Sequence, residues 1–169
     1  TSGNPITIKG YPGETAIIDG GFTTGSGLTE TPVFNIDNVN YITIDGLTIK
    51  RGLRSNIRIG YDFDTANITV RNCDISNFVA SDNSGQIRVL PRTENILIEN
   101  NRLHDRQPYS GDTSKGWNAA GIHIFYAGTL TIRNNEVYST NNGIYYKGSV
   151  VNGKITIIEN NLIYHGDKW

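Results

Sequence analysis

A chain of 169 residues with a net charge of −1, only 18% of it charged, has room for one domain with a sizeable core and lies outside the strongly basic classes that bind nucleic acid or an anionic membrane. No run of about 18 apolar residues occurs, so no segment reads as a membrane-spanning helix. A single cysteine, Cys73, excludes an internal disulfide, while 19 glycines and a large excess of isoleucine over leucine favour short strands joined by tight turns.

In chain order, the first alternating segment is Ile6-Thr7-Ile8-Lys9, followed by Ile18-Asp19-Gly20-Gly21. The latter reads as a worn copy of a phrase that then recurs. It returns as I-T-I-D-G-L-T-I from Ile42 to Ile49, I-T-V-R-N-C-D-I from Ile68 to Ile75 and I-L-I-E-N-N-R-L from Ile96 to Leu103. Two further copies are L-T-I-R-N-N-E-V from Leu130 to Val137 and T-I-I-E-N-N-L-I from Thr156 to Ile163. Each copy is two alternating strands hinged at a two-residue turn, where Asn or Gly tolerates left-handed backbone angles. Taking Gly20, Gly46, Asn72, Asn100, Asn134 and Asn160 as hinges gives steps of 26, 26, 28, 34 and 26 residues. A period of this size predicts a solenoid whose coils bury their apolar faces only against their neighbours.

A further alternating segment precedes each hinge pair. These are Ile6–Lys9, Phe34–Asp37, Ile57–Gly60, Ile87–Leu90, Ile122–Phe125 and Ile144–Lys147. Three strands per coil at about 26 residues exceed the coil of a triangular hexapeptide helix, and no helical back appears as in a leucine-rich repeat. The prediction is therefore an all-β chain, one right-handed parallel β-helix domain over 1–169, with six coils of three short strands. Stacking like on like then places Asn72, Asn100, Asn134 and Asn160 in a structural amide ladder, puts Thr43, Thr69 and Thr131 in one column, and packs Cys73 at a hinge. The longest coil carries its extra residues in the polar loop H-D-R-Q-P-Y-S-G-D-T-S-K-G-W-N-A-A from His104 to Ala120, a length that points to function.

The strand–short Asn turn–strand grammar, with N-P-I-T-I-K-G-Y-P-G-E near the start and T-I-R-N-N-E-V-Y later, resembles the pectate-lyase-like β-helix superfamily over essentially the whole chain. The resemblance implies a secreted or cell-surface protein acting on or binding uronate-containing polysaccharides, with a substrate groove along the first-strand sheet walled by the longer loops. Members generally carry an N-terminal cap and more coils than six. The expectation is thus of a core or truncated member, whose uncapped coils would allow end-to-end self-association.

Period-2 alternation sends one row of the first-strand sheet outward as Thr7, Asn35, Arg58, Arg88, His123 and Tyr145, and the next as Lys9, Asp37, Gly60, Leu90, Phe125 and Lys147. Stacked Arg58 and Arg88 repel unless an anion lies across them, and the carboxylates of an acidic polysaccharide would supply one. Asn35 and the aromatic Tyr126, Trp117 and Tyr109 complete the expected binding surface. β-Elimination needs a cation for the developing enediolate and a base for the proton beside the carboxylate. Arg88 suits the first role, Lys147 or His123 the second, and Tyr145 the role of acid toward the leaving oxygen. Lyases of this fold that act on alginate and chondroitin use a similar Lys/Arg arrangement. A glycosidase would need two carboxylates about 5–10 Å apart, and on this face only Asp37 points out. Asp62, Asp64, Asp105 and Asp112 offer oxygen ligands suited to calcium at no dedicated spacing, and three dispersed histidines argue against zinc. A non-catalytic glycan-binding module or a structural solenoid is the alternative to an enzyme.

Overall fold

The computed structural model describes residues 4–24, 29–108, 110, 116–148 and 153–166. They wind into a right-handed parallel β-helix without helices. No helix among the described residues is long and apolar enough to cross a membrane. Three parallel sheets run along the solenoid. The hinge-approach sheet stacks Ile6–Lys9, Asn40–Asp45, Thr65–Arg71, Thr93–Glu99, Leu130–Arg133 and Thr156–Glu159. The hinge-exit sheet stacks Ile17–Asp19, Thr48–Lys50, Asp74–Ser76, Arg102–His104, Glu136–Tyr138 and Leu162–Tyr164. The first sheet stacks Phe34–Ile36, Ser55–Ile59, Gly85–Val89, Ala120–Phe125 and Asn142–Lys147. A small pair, Val79–Ala80 with Gln107–Pro108, ties the start of the long polar loop to the preceding coil.

The core consists of columns of identical or similar side chains. Ile57, Ile87 and Ile122 lie in register, as do Ile44, Val70, Ile98 and Ile132, and Ile49, Ile75, Leu103 and Val137. All are fully enclosed, and each such side chain contributes about 1.5–3 kcal/mol relative to exposure. In the first and last described coils Ile6 and Ile17 at one end, and Ile157, Ile158, Leu162 and Ile163 at the other, are exposed.

The expected register fails in the first coil. Ile6–Lys9 pairs with Ile42–Asp45 and Ile17–Asp19 with Thr48–Lys50, so these are approach and exit strands. The true hinge of this coil is the longer stretch from Gly10 to Ala16, folded around a turn in which the Glu14 N–H donates to the Tyr11 carbonyl at 3.0 Å. Gly20 follows the exit strand instead, and a Cβ there would lie 2.5 Å from the Arg51 carbonyl oxygen. Close approach, and not a hinge conformation, is what requires this glycine. Thr7 consequently joins the column of Thr43 and Thr69, and Lys9 stacks on Asp45. The first sheet has five described strands where six were expected.

The amide ladder is also displaced by one residue. Asn72, Asn100, Asn134 and Asn160 hold the left-handed hinge angles, with φ between 53° and 54°, and their side chains point to solvent. The residues after them turn inward. Asn101 donates through Nδ2 to Asn135 Oδ1 at 3.0 Å, and Asn135 donates likewise to Asn161 Oδ1 at 2.9 Å. Cys73 takes the same position one coil earlier, its N–H donating to Asn101 Oδ1 at 3.0 Å. It is buried as expected, and burial pushes its thiol up from the ordinary value.

Candidate active site on the first sheet

Charge is handled differently on two neighbouring sheets. Along the approach sheet Lys9, Asp45, Arg71, Glu99, Arg133 and Glu159 lie in one register column, every charge against its opposite. Arg71 pairs with Asp45 at 2.9 Å and Arg133 with Glu99 at 2.7 Å. The outward column of the first sheet reads Asn35, Arg58, Arg88, His123, Tyr145, in direct Cα register. Here two guanidinium groups are stacked and a third basic side chain follows. Like charges opposite one another are destabilising on a sheet, so this column departs from the pattern the rest of the chain obeys.

The chain itself supplies one anion. Glu30 lies in the connection from the first exit strand to the first sheet. It forms an ion pair and hydrogen bond with Arg88, approaches Arg58 at 3.6 Å and accepts from Ser55 Oγ at 3.2 Å. Burial raises the Glu30 carboxyl, but the charge and hydrogen bond of Arg88, with Arg58 and Arg54 behind them, outweigh it and hold Glu30 below the ordinary carboxylate value. Burial likewise draws the Arg88 guanidinium down, opposed by Glu30. Arg58 also donates from Nε to Asn35 Oδ1 at 2.8 Å and lies 5.8 Å over the Tyr61 ring.

On the other side of Arg88 the sheet opens into a pocket of about 250 Å³ lined by Tyr61, Asn83, Arg88, Leu90, His123, Phe125 and Lys147. Arg88, His123 and Lys147, which come from three successive coils, therefore converge on one space. Lys147 donates to Asn83 Oδ1 at 2.6 Å. Tyr145 stands beside His123, ring centroids 5.6 Å apart with planes inclined by 37°. His123 is only 1% exposed and neither ring nitrogen has a hydrogen-bond partner. Burial, reinforced by the charges of Arg88 and Lys147, pushes its pKa down to about 4. The imidazole is thus neutral at neutral pH and presents a free lone pair to a cationic neighbourhood.

This shift makes stability fall with acidification. Unfolded His123 takes a proton near its ordinary value of 6.5 and the folded form only near 4, so the stabilisation is complete above 6.5 and is lost as pH falls from there toward 4. A displacement of this size amounts to roughly 3 kcal/mol in all. Glu30, Asp19 and Asp45, all lowered, add losses of their own only within and below the ordinary carboxylate range. Urea midpoints at pH 7 and pH 5 should therefore differ in the unaltered chain and nearly coincide in His123→Leu.

The remaining expected positions lie elsewhere. Tyr126 packs edge-on against Phe125 at 4.6 Å and lines a separate pocket of about 330 Å³ with Asp64, Arg92, Glu94 and Lys154. Trp117 is 67% exposed, and its carbonyl accepts from Asn142 Nδ2 at 2.8 Å. Its neighbour Asn118 donates its N–H to Asp82 at 3.2 Å, which ties this end of the long loop to the turn that carries Asn83. Tyr109 and Asp112 lie outside the described residues. Asp37 accepts from the N–H groups of Asp62 and Phe63 and so fastens a turn. Among the described residues no three His, Cys, Asp or Glu side chains gather as a metal site. Tyr61, Asn83 and Glu30 were absent from the expected site. An exposed aromatic two residues beyond the strand Ser55–Ile59 was the one available signal, at Tyr61; Asn83 and Glu30 sit in connections that follow no period.

A family model described as a right handed beta helix region matches residues 32–168. No curated protein matches the chain. Among solved structures, the chain is similar to an alginate lyase from Paenibacillus sp. str. FPU-7 at 16% identity, with 99% of this chain and 83% of that one covered and a TM-score of 0.33. At that distance the likeness says nothing about the reaction of this chain.

Proposed function

Since the chain belongs to the right-handed β-helix family, with its strands stacked into one continuous outer face, we propose that the first sheet binds an extended acidic polysaccharide and that the pocket beside Arg88 cleaves it by β-elimination. The observation that carries this reading is the convergence of Arg88, His123 and Lys147 on one pocket below a like-charged column. A uronate carboxylate would pair with Arg88, whose charge also stabilises the enediolate formed next. The neutral imidazole of His123 takes the proton from the carbon beside the carboxylate. The electron pair left behind forms a carbon–carbon double bond as the glycosidic C–O bond breaks, and Tyr145 gives its phenolic proton to the departing oxygen. Lys147 keeps the pocket cationic and is the alternative base.

Two observations favour a second, binding-only reading: His123 is almost wholly enclosed, and Arg88 already holds a carboxylate. Incubation with pectate, alginate and glycosaminoglycans, with and without calcium, separates the two. Growth of the ultraviolet absorbance of an unsaturated uronate is the expected result. Retention on the polymer that weakens with salt, without that absorbance, leaves binding alone. Retention on none of them overturns both readings. A polymer of this kind places the working environment of the chain outside the cell.

A further inference from the structure

Glu30 stands 58 residues from Arg88 in sequence, yet it ends on that guanidinium. One Glu30 oxygen accepts from Arg88 and Ser55, and the other faces Arg58. The charge of Arg54 reaches the same carboxylate. Two guanidinium groups thus share one carboxylate, while Arg54, next to Ser55 in the chain, donates to the Asp82 carbonyl at 3.2 Å; the Arg58–Arg88 pair keeps surplus positive charge. The Nε atom of Arg88 is enclosed and without a hydrogen-bond partner, so Glu30 engages Arg88 through one terminal nitrogen only. Planar guanidinium groups recognise carboxylates through paired N–H donors, whereas Arg58 meets Glu30 only at 3.6 Å, beyond hydrogen-bond distance, so Glu30 leaves this guanidinium pair incompletely used. The Glu30 side chain keeps 15% of its surface exposed, so solvent and solutes reach it.

We propose that Arg58 and Arg88, with the Ser55 hydroxyl, form a carboxylate receptor whose resident occupant is Glu30, so that an incoming carboxylate competes with Glu30 for the same guanidinium groups. Only the identity of the ligand, a uronate, rests on the function proposed above. Glu30 is then an internal mimic of the ligand, and it resolves the repulsion of the Arg58–Arg88 stack while the face is empty. Binding proceeds by exchange of one carboxylate for another, which costs less than exposing an unpaired cluster but lowers apparent affinity.

The test uses Glu30→Ala and Glu30→Gln with two probes, acetate and glucuronate. Glu30→Ala should melt below the unaltered chain, and acetate should restore the midpoint where chloride at equal ionic strength does not. Glu30→Gln, which keeps the shape without the charge, should bind glucuronate at least about tenfold more tightly than the unaltered chain by titration calorimetry. Adding Arg88→Met to Glu30→Ala should erase the acetate effect. Equal recovery by acetate and chloride, an acetate effect that survives Arg88→Met, or no gain in glucuronate affinity in Glu30→Gln each overturns the proposal. Should Glu30→Ala fail to fold, the affinity of Glu30→Gln decides alone. Polymer cleavage with unchanged glucuronate affinity in Glu30→Gln sinks the receptor and leaves the proposed function standing. Acetate rescue without polymer binding does the reverse.

Discussion

His123→Ala is expected to slow double-bond formation by about 10²–10⁴-fold, the usual contribution of a positioned general base, while retention on the polymer stays near that of the unaltered chain. The imidazole is the candidate because it is neutral with both nitrogens unpartnered, whereas Lys147 spends a donor on Asn83. With its pKa pushed down to about 4, a base at His123 must lose activity only as pH falls through about 4, and kcat/KM should stay level through the range where an ordinary histidine titrates. Lys147→Ala should mainly weaken binding. If Lys147→Ala removes the absorbance change and His123→Ala keeps it, the assignment of the base is reversed.

The second large effect concerns stability. Asn135→Leu is expected to cost about 2–4 kcal/mol in urea unfolding, because two or more buried polar groups lose their partners at about 1–3 kcal/mol each. Asn135 Oδ1 accepts from the N–H and Nδ2 of Asn101, and its Nδ2 donates to the Ile98 carbonyl and Asn161 Oδ1. All four contacts cross from one coil to another, so their loss acts on the stacking that holds a solenoid together. Asn134→Gly is the control. It retains the left-handed backbone that the hinge needs, at φ 54°, and removes only a solvent-facing amide. Equal losses in the two variants would falsify the view that the inner amides, and not the hinge amides, fasten the coils.

The two variants also mark where reading the chain as a string reached its limit. Asn134 and Asn135 are adjacent and identical, and the repeat phrase shows both. A left-handed residue interrupts the strand alternation, so the side chain that turns inward is the one after the conformationally special residue. Spacing alone does not distinguish them. The first coil shows a related limit, since Gly20-Gly21 copies the hinge wording and falls on the period, while backbone pairing assigns the hinge to Gly10 through Ala16.

The sequence by itself determined the winding, the three sheets beyond the first coil and the register of Asn35, Arg58, Arg88, His123 and Tyr145, because parallel stacking of equal coils forces equivalent positions into line. It also determined that Arg58 would lie on Arg88. Only the tertiary structure decided what that stack means, since Glu30 and Asn83 reach the site from non-repeating connections that no period locates. The depth of His123, and with it the neutral imidazole, is likewise a property of the packed site and not of its place in the repeat. A repeat brings Arg88, His123, Tyr145 and Lys147 to one face; the partners Glu30 and Asn83, which come from outside the repeat, complete it.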